Sequence, residues 1–259
     1  MNYSTIQIAD NALIRTITLN RPERRNAMTP EMQMELIAAM EDAAESSCRV
    51  LVLAGAGQAF CSGLDLSVLE TMQDKTPSEH RADAERIARL FRTLYELPIP
   101  TIAAVHGAAM AGGAGLALIC DFTLATPAAR FGFTEARIGF VPAVVSAFLA
   151  LQIGHKQSRA LLLTARHINP EEALRLGLVN EVVPSEELGP RVRKLAELLL
   201  ENSPQSLAAT KLLMAEQNKE WLHAAIDAAI EASIRSRETV DFREGIRAFL
   251  ERRKANWSK

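Results

Sequence analysis

From residue 13 to residue 183 the chain passes again and again from a short apolar, β-like run through a turn into a helical stretch. After residue 186 only helical patterning remains. The runs at 50–54, 101–105, 122–125 and 178–183 read as strands, the first of them buried. The pattern therefore predicts an α/β core with a helical C-terminal region. We divide the chain at residue 200: a core over 1–200 and a helical region over 201–259, broken near Ser203-Pro204 and near Asn218. Before the core proper, residues 3–8 and 13–19 read as a hairpin turning at Asp10-Asn11. Thr29 followed by Pro30 marks the start of a helix running to about Ala44. Residues 73–79 are polar and read as a mobile loop, followed by a helix over 81–97 in which Ile87, Leu90, Phe91 and Leu94 keep helical spacing. Asn169-Pro170-Glu171-Glu172 opens a further short helix and Gly177 closes it.

Two glycine-bearing turns stand out. One follows the 50–54 run as Phe60-Cys61-Ser62-Gly63-Leu64-Asp65-Leu66; the other follows 101–105 as Met110-Ala111-Gly112-Gly113-Ala114-Gly115-Leu116. The second opens an apolar helical segment, so its first amides and the positive end of the helix dipole face whatever sits in the turn. Side by side, two such turns aim two backbone N–H donors at one oxygen, which is an oxyanion hole.

Composition excludes several alternatives. With 259 residues, 48% hydrophobic content and a net charge of −2, the chain has ample core and no basic field, and 5% aromatic residues leave little to stack on bases. Nucleic acid is not an expected partner. Three cysteines (Cys48, Cys61, Cys120) without CxxC spacing read as reduced thiols of a cytosolic protein. Residues 1–20 alternate like a strand, without a basic-then-apolar leader, and no apolar stretch reaches bilayer length. A cytoplasmic protein that does not enter membranes is expected. The five histidines show no metal-ligand spacing, so no metal is expected. Gly55-Ala56-Gly57 lacks the third glycine of a dinucleotide loop, and Phe60 stands where a nucleophile elbow around Ser62 would need glycine. Glu135, in Phe133-Thr134-Glu135-Ala136-Arg137-Ile138-Gly139-Phe140-Val141-Pro142, is by pattern alone a solvated acid or an ion-pair partner of Arg137.

Five segments in order carry a family resemblance. They are Leu19-Asn20-Arg21-Pro22-Glu23-Arg24-Arg25-Asn26-Ala27; residues 59–66; residues 100–107 running through the glycines into Cys120-Asp121; residues 133–142; and residues 244–254. On these the chain resembles the crotonase (enoyl-CoA hydratase/isomerase) superfamily over essentially its whole length. The resemblance implies a spiral of ββα units, C-terminal helices at a trimer interface, a homotrimer or hexamer, and an acyl-coenzyme A thioester as ligand. No separate cofactor is implied, coenzyme A being part of the substrate. It implies oxyanion donors at the amides of Leu64 and Gly112 and an acid/base at Glu135. Coenzyme A contacts are implied at Arg24, at the turn containing Ser62, Leu64, Asp65, Leu66 and Ser67, and at Phe249 and Arg252. An apolar acyl pocket built from residues such as Leu66, Leu116 and Phe140 is expected to lift the pKa of Glu135. The polar stretch 72–81 is expected to line or cover it.

The chain also departs from the pattern. Hydratases of this family hold water between two glutamates; the second aligns with Glu135, but Gly115 stands at the first. Ala143 replaces the aspartate of dehalogenase-like members. The expected reaction is hydration of a 2-enoyl-CoA, with Ser146, Ser62 or a backbone carbonyl helping to hold the water. The alternatives are a 3,2-enoyl-CoA isomerase with Glu135 as sole proton carrier, and an acyl-CoA-binding protein without catalysis.

Overall fold

The computed structural model describes residues 3–72 and 74–258. An antiparallel pair, β1 (Ile6–Asn11) and β2 (Ile14–Leu19), leads to helix α1 (Pro30–Glu45), which Thr29 caps by accepting from the Met32 amide. Three units of one plan follow. β3 (Val50–Gly55) and β4 (Ala59–Cys61) lead to α2 (Leu66–Met72) and α3 (Pro77–Glu96). β5 (Thr101–Val105) and β6 (Ala108–Met110) lead to α4 (Gly112–Ile119). β7 (Phe122–Ala125) and β8 (Arg130–Gly132) lead through a single 3-10 turn, Glu135–Ile138, to α5 (Ala143–Thr164). β9 (His167–Ile168), α6 (Pro170–Leu176) and β10 (Glu181–Val182) close the core. α7 (Leu188–Leu200), α8 (Pro204–Arg237) and α9 (Val240–Leu250) complete the chain.

The first strand of each unit enters a six-stranded sheet ordered β1-β2-β3-β5-β7-β10; the second enters a four-stranded sheet ordered β4-β6-β8-β9. All pairings are parallel except β1–β2 and β8–β9. This is the ββα spiral that the resemblance implies. Alternate side chains of the central strands of the large sheet serve two cores, which is why β3 and β5 read as apolar runs. Val50, Val52, Ile102, Ala104 and Leu124 pack with Val192, Ala196 and Leu199 of α7. Leu51, Leu53, Ala103 and Val105 point the other way, into the main core with Met32 and Leu36 of α1, Leu90 and Phe91 of α3, and Leu116 and Ala117 of α4.

Several expectations are corrected. The hairpin turns at Ala12-Leu13, with Ala12 at φ +53°, rather than at Asp10-Asn11. Asp10 lies directly opposite Arg15 and takes hydrogen bonds from its Nε (2.8 Å) and Nη2 (2.9 Å), which keeps Asp10 within the strand. Gln73 lies outside the described residues. Of the rest of the expected 73–79 loop, residues 77–79 are helix, because Thr76 and Glu79 form a reciprocal capping box that starts α3 at Pro77, four residues before the expected start. The 178–183 strand shrinks to Glu181–Val182. Helix α8 runs unbroken through Asn218, whose side-chain amide donates to the Met214 carbonyl. Leu222, Ile226 and Ala229 bury that part of α8 in the main core, and the break comes instead at Thr239, which caps α9. The helical pattern ends at Leu250 rather than at the last residue.

Candidate active site

The short second strands position the site. β4 delivers Ser62, Gly63 and Leu64; β6, its parallel neighbour, delivers Ala111 and Gly112. Glycine is required where the two turns meet. Gly63 has φ +94°, and a Cβ there would stand 3.2 Å from both the Ala111 Cβ and the Met110 carbonyl oxygen. A Cβ on Gly113 would stand 2.5 Å from the Cys61 carbonyl oxygen, so α4 can lie against the end of β4 only without one.

Leu64 forms an isolated parallel bridge with Met28. The Met28 amide donates to the Gly63 carbonyl at 2.7 Å and the Asp65 amide donates to the Met28 carbonyl at 3.0 Å. In an extended chain successive amides point to opposite sides, so the Leu64 N–H is turned away from Met28. Gly112 is the first residue of α4, where an amide has no partner within the helix. Ala111 before it is held at φ 50°, ψ −124°, a backbone that alanine adopts only under strain. Its own N–H is fixed on the Gly132 carbonyl at 2.7 Å. Neither the Leu64 nor the Gly112 amide has an acceptor among the described residues.

Leu64, Ala111, Gly112 and Glu135 all line one cavity of about 180 Å³. Glu135 begins the 3-10 turn after β8, which Gly139 ends in the left-handed conformation. The residue as a whole is half-buried, but its carboxyl is turned inward, and Oε2 is buried without a hydrogen-bond partner. Burial pushes its pKa up to about 7, against a smaller downward pull from its own backbone N–H. Helix α9 holds this loop from outside. A Cβ on Gly139 would collide with the Asp241 backbone, and one on Gly245 with the Ile138 backbone. Phe242 and Ile246 of α9 form a small cluster with Leu69 and Met72 of α2, against which Ile138 and Phe140 pack. Two amides without acceptors and a neutralisable carboxyl in one largely apolar cavity can polarise a carbonyl and carry a proton beside it.

Phe91 explains the glycine at 115. A Cβ on Gly115 would stand 2.6 Å from the Phe91 Cζ and 3.2 Å from the Val145 Cγ2, and Phe91 is 1% exposed. A fixed aromatic ring occupies the space that a second glutamate would need.

The other expected site residues divide. Ser62 lines the cavity; its hydroxyl stands 3.5 Å from the Arg24 carbonyl oxygen. Phe249, although half-exposed, also lines it. Asp65 does not reach the cavity. It is buried, and its carboxylate takes the Ser67 amide (3.0 Å), the Ser67 hydroxyl (2.7 Å) and Arg21 Nη1 (2.7 Å), so Asp65 and Ser67 are consumed in holding the turn. Burial alone would raise the Asp65 carboxyl, but the hydrogen bonds from Ser67 and Arg21 outweigh it and hold the group below its usual range. Arg24 and Arg252 are exposed and outside the cavity wall. Two of the three residues expected to build the acyl pocket do not: Leu66 is 44% exposed on the outer side of α2, and Leu116 is buried behind the wall. Phe140 does line it, with Val68, Leu69, Met72, Ile87 and Phe91. Ser146 is spent on the Ala143 carbonyl at 2.6 Å and does not line the cavity.

Sequence reasoning missed a charged part of the wall, formed by Gln33, Asp83, Arg86, Ser233 and Arg237. A signal existed. Position 83 continues the apolar stripe of α3 (87, 90, 91, 94) back by one turn, so an aspartate there had to face inward. No helix among the described residues is long and apolar enough to cross a membrane, and no group of three metal-ligating side chains occurs among them.

A family model described as enoyl-CoA hydratase/isomerase matches residues 9–259. A Thermus thermophilus protein provisionally named an enoyl-CoA hydratase is 42% identical over 241 residues, covering 93% of this chain and 95% of its own. A crotonyl-CoA hydratase of Syntrophomonas wolfei is 32% identical and covers 99% of each chain. Among solved structures, an enoyl-CoA hydratase/isomerase from Xanthobacter autotrophicus superposes with a TM-score of 0.89 at 29% identity, covering all of both chains.

Proposed function

The chain belongs to the enoyl-CoA hydratase/isomerase family, and on that premise we propose that it adds water across a 2-enoyl-CoA to give a 3-hydroxyacyl-CoA. The observation that carries this reading is the shared cavity of Leu64, Gly112 and Glu135. The thioester oxygen accepts from the Leu64 and Gly112 amides, each supplying roughly 3–4 kcal/mol as that oxygen gains charge. Glu135, as carboxylate, takes a proton from water while the hydroxide oxygen bonds to C3. The π electrons move through C2 to the thioester oxygen, giving an enolate. The enolate then collapses and C2 takes the proton back from Glu135, so one carboxyl both removes and returns it. The names of the relatives support water addition over the other reactions of the fold.

One observation favours a second reading. Phe91 fills the place of a second glutamate at position 115, and one carboxyl suffices to move a proton from C2 to C4 of a 3-enoyl-CoA without water. Coenzyme A contacts at Arg24, Ser62, Leu64, Asp65, Leu66, Ser67, Phe249 and Arg252, the division at residue 200 and a trimer or hexamer belong to the same proposal. Leu212, Leu213 and Met214 of α8, each about 60% exposed, are apolar surface of the kind that copies bury against one another.

The test assays the wild type and Glu135→Gln with crotonyl-CoA and a 3-enoyl-CoA, following enoyl absorbance and product mass. A product heavier by one water supports hydration; an unchanged mass with a shifted double bond supports isomerisation. Near wild-type turnover by Glu135→Gln on every thioester removes Glu135 as the acid/base.

A further inference from the structure

Helices α1, α3 and α8 bring a charged cluster to the cavity wall. At its centre is Arg237, the last residue of α8, whose side chain is only 4% exposed. Its Nη1 stands 3.6 Å from Asp83 Oδ2, 3.2 Å from His80 Nδ1 and 3.3 Å from the His80 carbonyl oxygen. Its Nε has no hydrogen-bond partner.

The cluster is unbalanced. Lys75 and Arg86 both donate to Asp83, and Arg86 Nε also donates to Gln33 Oε1 at 3.0 Å. Three cations thus share a single carboxylate. His80 gives Arg237 no negative charge, and burial together with the neighbouring guanidinium lowers its own affinity for a proton. The Arg237 guanidinium carbon also lies 5.4 Å from the centroid of Phe140, on the loop that carries Glu135. A buried guanidinium with a shared counter-ion and an unpaired N–H is costly, and an apolar side chain of similar volume would serve packing better. An anion delivered into the cavity removes that cost.

We propose that the acyl group accepted here ends in a carboxylate, which Arg237 receives inside the cavity. The inference deepens the acyl-CoA reading of this cavity and rests on it. The cavity, at about 180 Å³, is of the order of the roughly 150 Å³ cavity that takes benzene. It therefore suits a short acyl group, with a handful of carbons between thioester and distal carboxylate. Asp83 does not repel such a group, because Lys75 and Arg86 already neutralise it.

The test is binding of two saturated isosteres, glutaryl-CoA and 5-methylhexanoyl-CoA, measured by calorimetry, with crotonyl-CoA hydration assayed in parallel. Wild type is expected to bind glutaryl-CoA roughly tenfold to a hundredfold more tightly, the range of a hydrogen bond to a charged group. Arg237→Met, which keeps the stem and removes the charge, is expected to abolish or reverse that preference, and Arg237→Lys to keep part of it. Equal or tighter binding of 5-methylhexanoyl-CoA by wild type overturns the inference, as does a ratio unmoved in Arg237→Met. Should that variant not fold, the wild-type ratio and Arg237→Lys still decide. A protein that hydrates crotonyl-CoA yet prefers the neutral isostere sinks this inference alone, whereas one that prefers glutaryl-CoA but hydrates nothing supports it and sinks the hydratase reading.

Discussion

Replacing Glu135 by glutamine should make the protein more stable at alkaline pH while removing its activity. Burial raises this carboxyl from 4.5 to about 7, so between those values the folded state holds a proton that the unfolded state has released. Stability contributed by the protonated form is complete below about pH 4.5 and is lost as pH rises through 7. At 1.36 kcal/mol per pKa unit, the ionised carboxylate costs the fold about 3 kcal/mol by pH 8. Glutamine has the same shape and cannot ionise. The difference in stability between variant and wild type should therefore be flat near pH 4 and widen by about 3 kcal/mol towards pH 8. For a chain of this size that is a relative gain of roughly 6–12 °C in Tm. No charged side chain contributes to the shift, so other titrations cancel in the difference. Thermal denaturation of both proteins from pH 4 to pH 8 reads it directly. A Tm difference that stays constant over that range would falsify the buried, uncompensated carboxyl on which the proposed chemistry depends. Loss of a general acid/base should lower turnover by roughly 10²–10⁴-fold in the same variant. Because the free enzyme must present carboxylate to water, wild-type kcat/KM should rise with pH through about 7.

Gly63→Ala places a Cβ at φ +94° and 3.2 Å from Ala111, so the two turns must part. Turnover should fall at least tenfold at an unchanged thioester Kd, read by steady-state kinetics beside calorimetry. Gly115→Glu should destabilise by about 1–3 kcal/mol or more through collision with Phe91, whereas Phe91→Ala should cost about 3–5 kcal/mol by leaving a void. The double variant should be more stable than the sum of the two predicts, and chemical denaturation of all four proteins checks this; simple additivity would separate the two sites. Arg21→Ala leaves the buried Asp65 carboxylate short of its cation and should cost about 3–5 kcal/mol at neutral pH. Since the Asp65 carboxyl is held low in the fold, the stability it contributes is present at neutral pH and lost on acidification. The gap between Arg21→Ala and wild type should therefore narrow below about pH 4 in a urea titration.

Much of this molecule was written locally in the chain. The runs at 50–54 and 101–105 read as strands from their residues alone, whereas their parallel pairing came from the sheet. Thr29-Pro30 and Asn169-Pro170 had to start helices, and Gly63 and Gly112 had to mark backbone turns, because each follows from a residue and its immediate neighbours. Strands of three residues such as β4, β6 and β8 left no periodicity to read, and they exist only because neighbours in the second sheet pair with them. The continuity of α8 past Asn218 was equally invisible, since burial of Leu222, Ile226 and Ala229 against distant helices decides it. The site shows the same boundary. The pattern supplied the glycine turns and the resemblance the role of Glu135, but whether a carboxyl stays solvated or is driven to a pKa near 7 depends on burial, and Glu135 shares its cavity with Val68, Leu69 and Met72 of α2 and with Phe140. That Phe91 fills the place beside Gly115, that Asp65 is spent on Arg21, and that Arg237 reaches the cavity from the far end of α8 are facts of three-dimensional neighbourhood. Burial and electrostatics act through space between residues far apart in the chain, so only the folded arrangement assigns them.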